Sequence, residues 1–178
     1  MGSFAGHKSY WDETDAGALP ALLTTVKPAG WKIRGARTWR SIRKLRIIPR
    51  AEHEDTRNVQ AVALDATESG CTVLVFSRDE DRDPRRGNAV EEGIAAATTD
   101  GKLSIVGGVA RPALEGWILA LEGRVGTEEL SPQAAKSAAA GVARSFVNRV
   151  EAADLGRIPH DAVSLKRWLG RARALSCG

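Results

Sequence analysis

Cys71-Thr-Val-Leu-Val-Phe76 runs straight into Ser77-Arg-Asp79-Glu-Asp81-Arg-Asp83-Pro-Arg-Arg-Gly87. The first half is a continuous, β-branched-rich apolar run that starts after the Ser69-Gly70 turn signal. That pattern predicts a strand buried on both faces, because a strand with one wet face alternates instead. Such a strand needs helices on each side of its sheet, so an α/β architecture with a parallel or mixed sheet follows. The second half puts carboxylates just past the strand's carboxyl end, where open α/β sheets gather their functional groups.

Outward from this stretch the chain alternates as an α/β fold requires. Asp15 to about Val26 predicts a helix with Leu19, Leu22, Leu23 and Val26 at helical spacing, and Pro20 delays its regular part. Trp31 to Arg34 predicts a short strand, and Lys44 to Ile48 another or its continuation. Asp55 or Thr56 is expected to cap a helix ending near Thr67, and a further helix covers Asn88 to about Thr98. Leu103 to Val106 reads as a strand, followed after Pro112 by a helix carrying Leu114, Glu115, Trp117, Ile118 and Leu121. Ser131-Pro132 opens a helix, with Ser at the cap and Pro in the first turn. Its Ala-rich continuation to about Ala153 is expected to be the longest in the chain, and Val163 to Leu175 closes the sequence with a last helix.

The 178 residues fit one domain, expected as an α/β core over 1–125 with C-terminal helices over 126–178 packed on it. At 43% hydrophobic and 27% charged the composition is globular and excludes disorder for the bulk of the chain. No apolar run approaches the roughly 20 residues of a membrane span, so no membrane partner is expected. Met1 to Trp11 lacks a hydrophobic signal core, and Cys71 and Cys177 cannot build a disulfide framework or a Cys/His zinc site. The expectation is a cytoplasmic protein with a buried thiol at Cys71.

Two readings of the acidic stretch stand side by side. If strand alternation continues, Asp79 and Asp81 point the same way and share a divalent cation, for which hard oxygen ligands suit Mg²⁺ or Mn²⁺. Arg78, Arg82, Arg85 and Arg86 would then grip phosphate oxygens. Alternatively, acids and arginines neutralise one another in a solvated loop. Asp12, Glu13 and Asp15 form a second acidic group, either at a strand's carboxyl end or complementing a helix dipole. His53, in Ala51-Glu-His-Glu-Asp55, reads as a surface histidine.

The net charge of +4 conceals a local imbalance. From Trp31 to Arg50 stand eight basic residues and no acid: Lys32, Arg34, Arg37, Arg40, Arg43, Lys44, Arg46 and Arg50. Such a stretch can follow a phosphate backbone, with Trp31 and Trp39 available to stack on bases, or it can be a solubilised edge strand.

Taken together, Asp12-Glu-Thr-Asp-Ala-Gly-Ala-Leu19, Val73-Leu-Val-Phe-Ser-Arg-Asp79-Glu-Asp81 and Leu114-Glu115-Gly-Trp117-Ile-Leu resemble, in their order, the TOPRIM-like proteins of bacterial anti-phage and restriction-type loci. The likeness covers roughly residues 10–125, and Ala162-Val-Ser-Leu-Lys-Arg-Trp168-Leu is similar to the family's C-terminal Ser-Leu helix. The resemblance implies a compact TOPRIM-like (Rossmann-like) fold: a mostly parallel sheet flanked by helices, with a helical C-terminal third. It implies Mg²⁺ or Mn²⁺ held for phosphodiester hydrolysis by Asp79, Asp81 and an acid after the first strand. Glu115 becomes an auxiliary acid, or a residue that positions the last helix. The family's first strand ends in Glu-Gly. Here Ser9-Tyr10-Trp11 precedes Asp12-Glu13, so Asp12 or Glu13 completes the site or the site is non-catalytic.

Two functions are therefore expected. One is a metal-dependent nuclease or phosphoesterase of a defence system, with Arg34, Arg37, Arg40, Arg43, Lys44, Arg78 and Arg82 on the nucleic acid. The other is a non-catalytic adaptor that binds nucleic acid or a partner ATPase through the same fold. Both are compatible with self-association. No GxGxxG or GxxxxGK[ST] loop supports a nucleotide-cofactor enzyme.

Overall fold

The computed structural model describes residues 3–8, 17–42, 52–99, 101–140 and 145–176, with the side chains of 3–8, 35–38 and 40 left aside. Four parallel strands form the main sheet in the order β2-β1-β3-β5: β1 Ser3–Lys8, β2 Lys32–Thr38, β3 Val73–Val75 and β5 Ser104–Val106. Between β3 and β5 in the chain lies β4, Arg78–Asp79, which pairs in parallel with β6, Val109–Ala110. These two short strands prolong the β3–β5 ladder. The bonds Phe76 N to Val106 O, Arg78 N to Gly108 O and Glu80 N to Ala110 O recur at every second residue, the spacing of a parallel pair.

The double burial expected of the 71–76 run holds from Val73 to Phe76; the strand itself is shorter, Val73–Val75, and Thr72 before it is exposed. Val73 and Val75 join one apolar cluster; Leu74 and Phe76 join the other. Alternate side chains of one strand therefore feed two cores, which is the period of the pleat. The first core is built by α1 (Ala18–Val26), α5 (Leu114–Leu121), α7 (Phe146–Glu151) and α8 (Val163–Arg173). The second is built by α2 (Trp39–Ile42), α3 (Glu54–Glu68) and α4 (Arg86–Ala97). The remaining helix, α6 (Pro132–Ala140), packs along α5. Leu165, Trp168 and Leu169 of α8 lie in the same core as Val73 and Val106, so the C-terminal helices complete the α/β core.

Several expectations change in detail. The first strand is Ser3–Lys8, ahead of the Ser9-Tyr10-Trp11 segment that the resemblance suggested. It occupies the centre of the sheet between β2 and β3. Gly30 at φ 61 precedes β2, which runs four residues beyond the expected Arg34. Helix α3 is capped by His53, whose Nδ1 accepts from Asp55 N at 3.1 Å, so the residues expected as caps lie inside the first turn. The expected single helix from Pro132 to Ala153 is two: α6 ends at Ala140, and α7 begins afresh with Ser145 Oγ accepting from Asn148 N. The longest described helix is α3. The expected strand at Lys44–Ile48 lies outside the described residues. Among the described residues no helix is long and apolar enough to cross a membrane.

Candidate functional site at the carboxyl end of the sheet

Two indoles, one from each face, hold the end of β3. Trp39 Nε1 donates to Ser77 O at 2.9 Å and Trp168 Nε1 donates to Phe76 O at 3.0 Å. Trp39 also meets the Phe76 ring edge-on at 5.6 Å and lies under the Arg78 guanidinium. Trp31 donates to Lys27 O and packs on the first core. The two indoles read from sequence as base-stacking platforms are therefore committed to the fold, since each finds an internal acceptor and apolar neighbours.

The ladder carries Asp79 out at the end of β4 on the face of Val73 and Val75. There its Oδ1 accepts from Leu114 N, in the first turn of α5, at 3.0 Å. Burial first, then the carboxylate of the neighbouring Glu115 and, more weakly, that of Asp81 push the Asp79 carboxyl up to about 6, against the pull of that hydrogen bond and of Lys136. Glu115 is half-buried in the same helical turn. The resemblance named this acid, and the structure sets its charge against Asp79.

Asp81 does not follow Asp79. The strand ends before it, and the backbone turns through left-handed geometry at Asp81 (φ 49) and Arg82 (φ 65). The turn returns the Asp81 side chain to the opposite layer, where its Oδ2 receives Arg78 Nη1 at 3.2 Å and Arg86 Nη1 at 3.1 Å. The same two arginines hold the buried Asp55 of α3: Arg78 Nε to Oδ1 at 3.2 Å and Arg86 Nε to Oδ2 at 2.8 Å. The same-side placement expected from strand alternation fails because a turn intervenes.

Asp12 and Glu13, offered as the completing acids, lie outside the described residues, as do Arg43 and Lys44 and the side chains of Arg37 and Arg40. What is described is the exit of β1. Gly6 pairs with Val75, so the carboxyl ends of β1 and β3 are adjacent. Arg34 is exposed at the one-residue bulge in the β1–β2 register, level with Val73 and Leu74. At about 3.3 Å per residue this is roughly 16 Å short of Asp79 along the strand direction. Arg78 and Arg82 stand at the carboxyl end itself, Arg82 exposed.

Sequence reasoning missed a third feature. Among the described residues, candidate ligand atoms come within 4.8 Å of one another at His53, Asp55 and Asp83. These donors are already spent. His53 Nδ1 caps α3, His53 Nε2 faces Asp83 Oδ2 at 3.2 Å, and both Asp55 oxygens are held by arginines. The expected surface histidine is thus a half-buried cap.

A second network joins the other two motifs. Trp117 Nε1 donates to Ser164 Oγ at 2.7 Å, and Ser164 donates through N and Oγ to Glu128 Oε1 at 2.6 and 2.7 Å. It locks the start of α8 to α5 and so fixes the helix whose first turn meets Asp79.

The raised Asp79 carboxyl has a consequence for stability. The folded state binds this proton more tightly than the unfolded chain, whose Asp ionises near 3.9. Folding is therefore favoured while Asp79 is protonated, and that contribution is lost as pH rises through about 6. Asp79→Asn keeps an acceptor for Leu114 N without the charge. It is expected to raise stability by about 1–2 kcal/mol at pH 7.5 and to change it little at pH 4. Urea midpoints at the two pH values check this, and an equal gain at both would remove the electrostatic cause.

A scan of family models and searches of curated proteins and of solved structures each find no match to this chain.

Proposed function

We propose that this chain is a TOPRIM-like domain that hydrolyses nucleic-acid phosphodiesters with Mg²⁺ or Mn²⁺, as a component of a bacterial defence system. One observation carries the reading. At the carboxyl end of a central parallel strand stands a half-buried carboxylate, Asp79, which accepts from Leu114 N and has its proton affinity raised by burial and by a second carboxylate, Glu115. Hard carboxylate oxygens suit a small divalent cation, whose charge would offset the repulsion that Glu115 adds to Asp79. The order β2-β1-β3-β5 supports it as well, since an acid following β1 would emerge beside one following β3. Asp79, with Asp12 or Glu13, would hold the cation. The bound ion would supply charge stabilisation on the phosphate and a more acidic water. Arg78 and Arg82 would then meet the backbone on the same edge.

The test is incubation with supercoiled plasmid, single-stranded DNA and RNA in Mg²⁺, Mn²⁺ or EDTA. The expected result is EDTA-sensitive cleavage that Asp79→Ala abolishes. Cleavage that survives this substitution refutes the assignment.

A second reading is the non-catalytic adaptor that holds nucleic acid or a partner ATPase. The pairing of Asp81 with Arg78 and Arg86 favours it, because only half of the Asp-x-Asp pair then faces Glu115. Salt-dependent binding without cleavage in any of those conditions selects this reading.

A further inference from the structure

Asp81 and its two arginines look different when taken as a receptor and its occupant. The guanidiniums are fixed parts. Arg78 and Arg86 side chains are only 16% and 11% exposed, and each is aimed by an Nε bond to the buried Asp55. Arg86 is pinned further by Nη1 bonds to Asp79 O and Glu80 O at 2.8 and 2.6 Å. Asp81 is the movable part. Its side chain is 50% exposed and its backbone is left-handed at φ 49, with Arg82 beside it at φ 65, a conformation that L residues other than Gly adopt at a cost. Both Nη1 atoms converge on one oxygen, Asp81 Oδ2. Two guanidiniums on a single anionic oxygen is a grip suited to phosphate. Asp55 and Asp81 each pair with both arginines, and Asp83 acts on Arg86 from the exposed side.

We propose that Arg78 and Arg86 form the substrate's phosphate site and that Asp81 occupies it as an internal stand-in, displaced when a phosphate oxygen enters. That the phosphate is the substrate's own rests on the phosphodiester reading above; the site itself does not. The ligand chemistry is a non-bridging phosphate oxygen, from a nucleic-acid backbone or from free phosphate.

The experiment is done in EDTA, where no hydrolysis is asked for. A short fluorescein-labelled deoxythymidine strand is titrated with the full chain, and its anisotropy is read at fixed ionic strength. Asp81→Asn removes the competing charge. Asp81→Gly removes it too and suits the left-handed backbone. Each is expected to tighten binding about tenfold, the scale of one charge-assisted contact freed for the ligand. Glu92→Gln makes the same change of net charge elsewhere on the cleft that Arg78 and Arg86 line, and should tighten it less than about twofold. Adding Arg78→Gln to Asp81→Asn should cancel the gain.

Inorganic phosphate then separates the sources. Displacement of the strand from Asp81→Asn at constant ionic strength assigns a site that accepts free phosphate, and no displacement assigns one for backbone phosphate. Either outcome supports the site. If both Asp81 variants bind no tighter than Glu92→Gln, or if the gain survives Arg78→Gln, the proposal is overturned. Cleavage plays no part in this assay. Absent hydrolysis with a tenfold gain therefore removes the nuclease reading alone, whereas cleavage without the gain removes the stand-in alone.

Discussion

Trp168→Ala is expected to lower the unfolding free energy by about 4 kcal/mol, the scale of an indole removed from a close-packed core together with one buried hydrogen bond. Trp168 is fully buried, stacks at a tilt against Trp117 with ring centroids 6.1 Å apart, and donates to Phe76 O, 92 residues earlier in the chain. It also lies beneath the β5–β6 junction, where its ring comes within 3.8 Å of a Cβ built on Gly108. Trp168→Phe separates the two contributions. It keeps most of the apolar contact and loses the donor, so about 1–2 kcal/mol is expected. Equilibrium urea unfolding of both variants measures this. Equal losses would mean that the hydrogen bond is what matters, and a loss below about 2 kcal/mol for the alanine variant would place Trp168 outside the core. The result reaches the site as well, because the carbonyl held by Trp168 belongs to the strand end that delivers Asp79.

Which parts of this molecule a reader of the sequence could find follows from where each signal is stored. The strand was legible from Val73 onward because a doubly buried strand writes its environment into each position: Val73 and Val75 serve one core, Leu74 and Phe76 the other. Helices α3, α4, α5 and α8 were legible for the same reason, through their periodic apolar faces. The place of Asp79 at the strand's carboxyl end was legible because the acid follows the strand directly. Asp81 was misplaced because alternation holds only while the strand lasts, and Asp81 and Arg82 are not residues that announce left-handed backbone as Gly does. The arginine clamp on Asp55 was invisible, since it joins positions more than twenty residues apart through side chains alone. His53 as a helix cap escaped for a local reason: Asp and Thr are the expected caps, and the sequence offers both immediately afterwards. Trp39 misled in the other direction. Flanked by arginines it suggests an exposed stacking surface, yet its indole is what the Ser77 carbonyl needs.

The same reasoning explains the broken helix and yields the second large effect. A continuous helix over Pro132 to Ala153 would set Ala139 and Arg149 about 15 Å apart along its axis, far beyond the reach of an arginine. Instead Arg149 Nη1 donates to Ala139 O at 3.0 Å, while Nε and Nη2 grip the two oxygens of Glu122 at 2.6 and 2.7 Å. The guanidinium thus ties the end of α5, the last turn of α6 and the whole of α7 together, and Phe146 packs against its face. Its two partners are not equivalent. The Arg149 side chain is 2% exposed and that of Glu122 29%. Removing the acid strands a buried cation, whereas removing the cation leaves a carboxylate that water can reach. Glu122→Ala is therefore expected to cost about 3–4 kcal/mol, and Arg149→Met about 1–2, since methionine fills much of the stem's volume. The pair Glu122→Leu with Arg149→Met should recover most of the loss, because an apolar replacement ends the desolvation of both charges. Urea midpoints for the three variants decide it. If Arg149→Met proves the more damaging single change, or if the double variant loses as much as the singles combined, the ion pair is not what closes these helices, and the Ala139 carbonyl contact has to be.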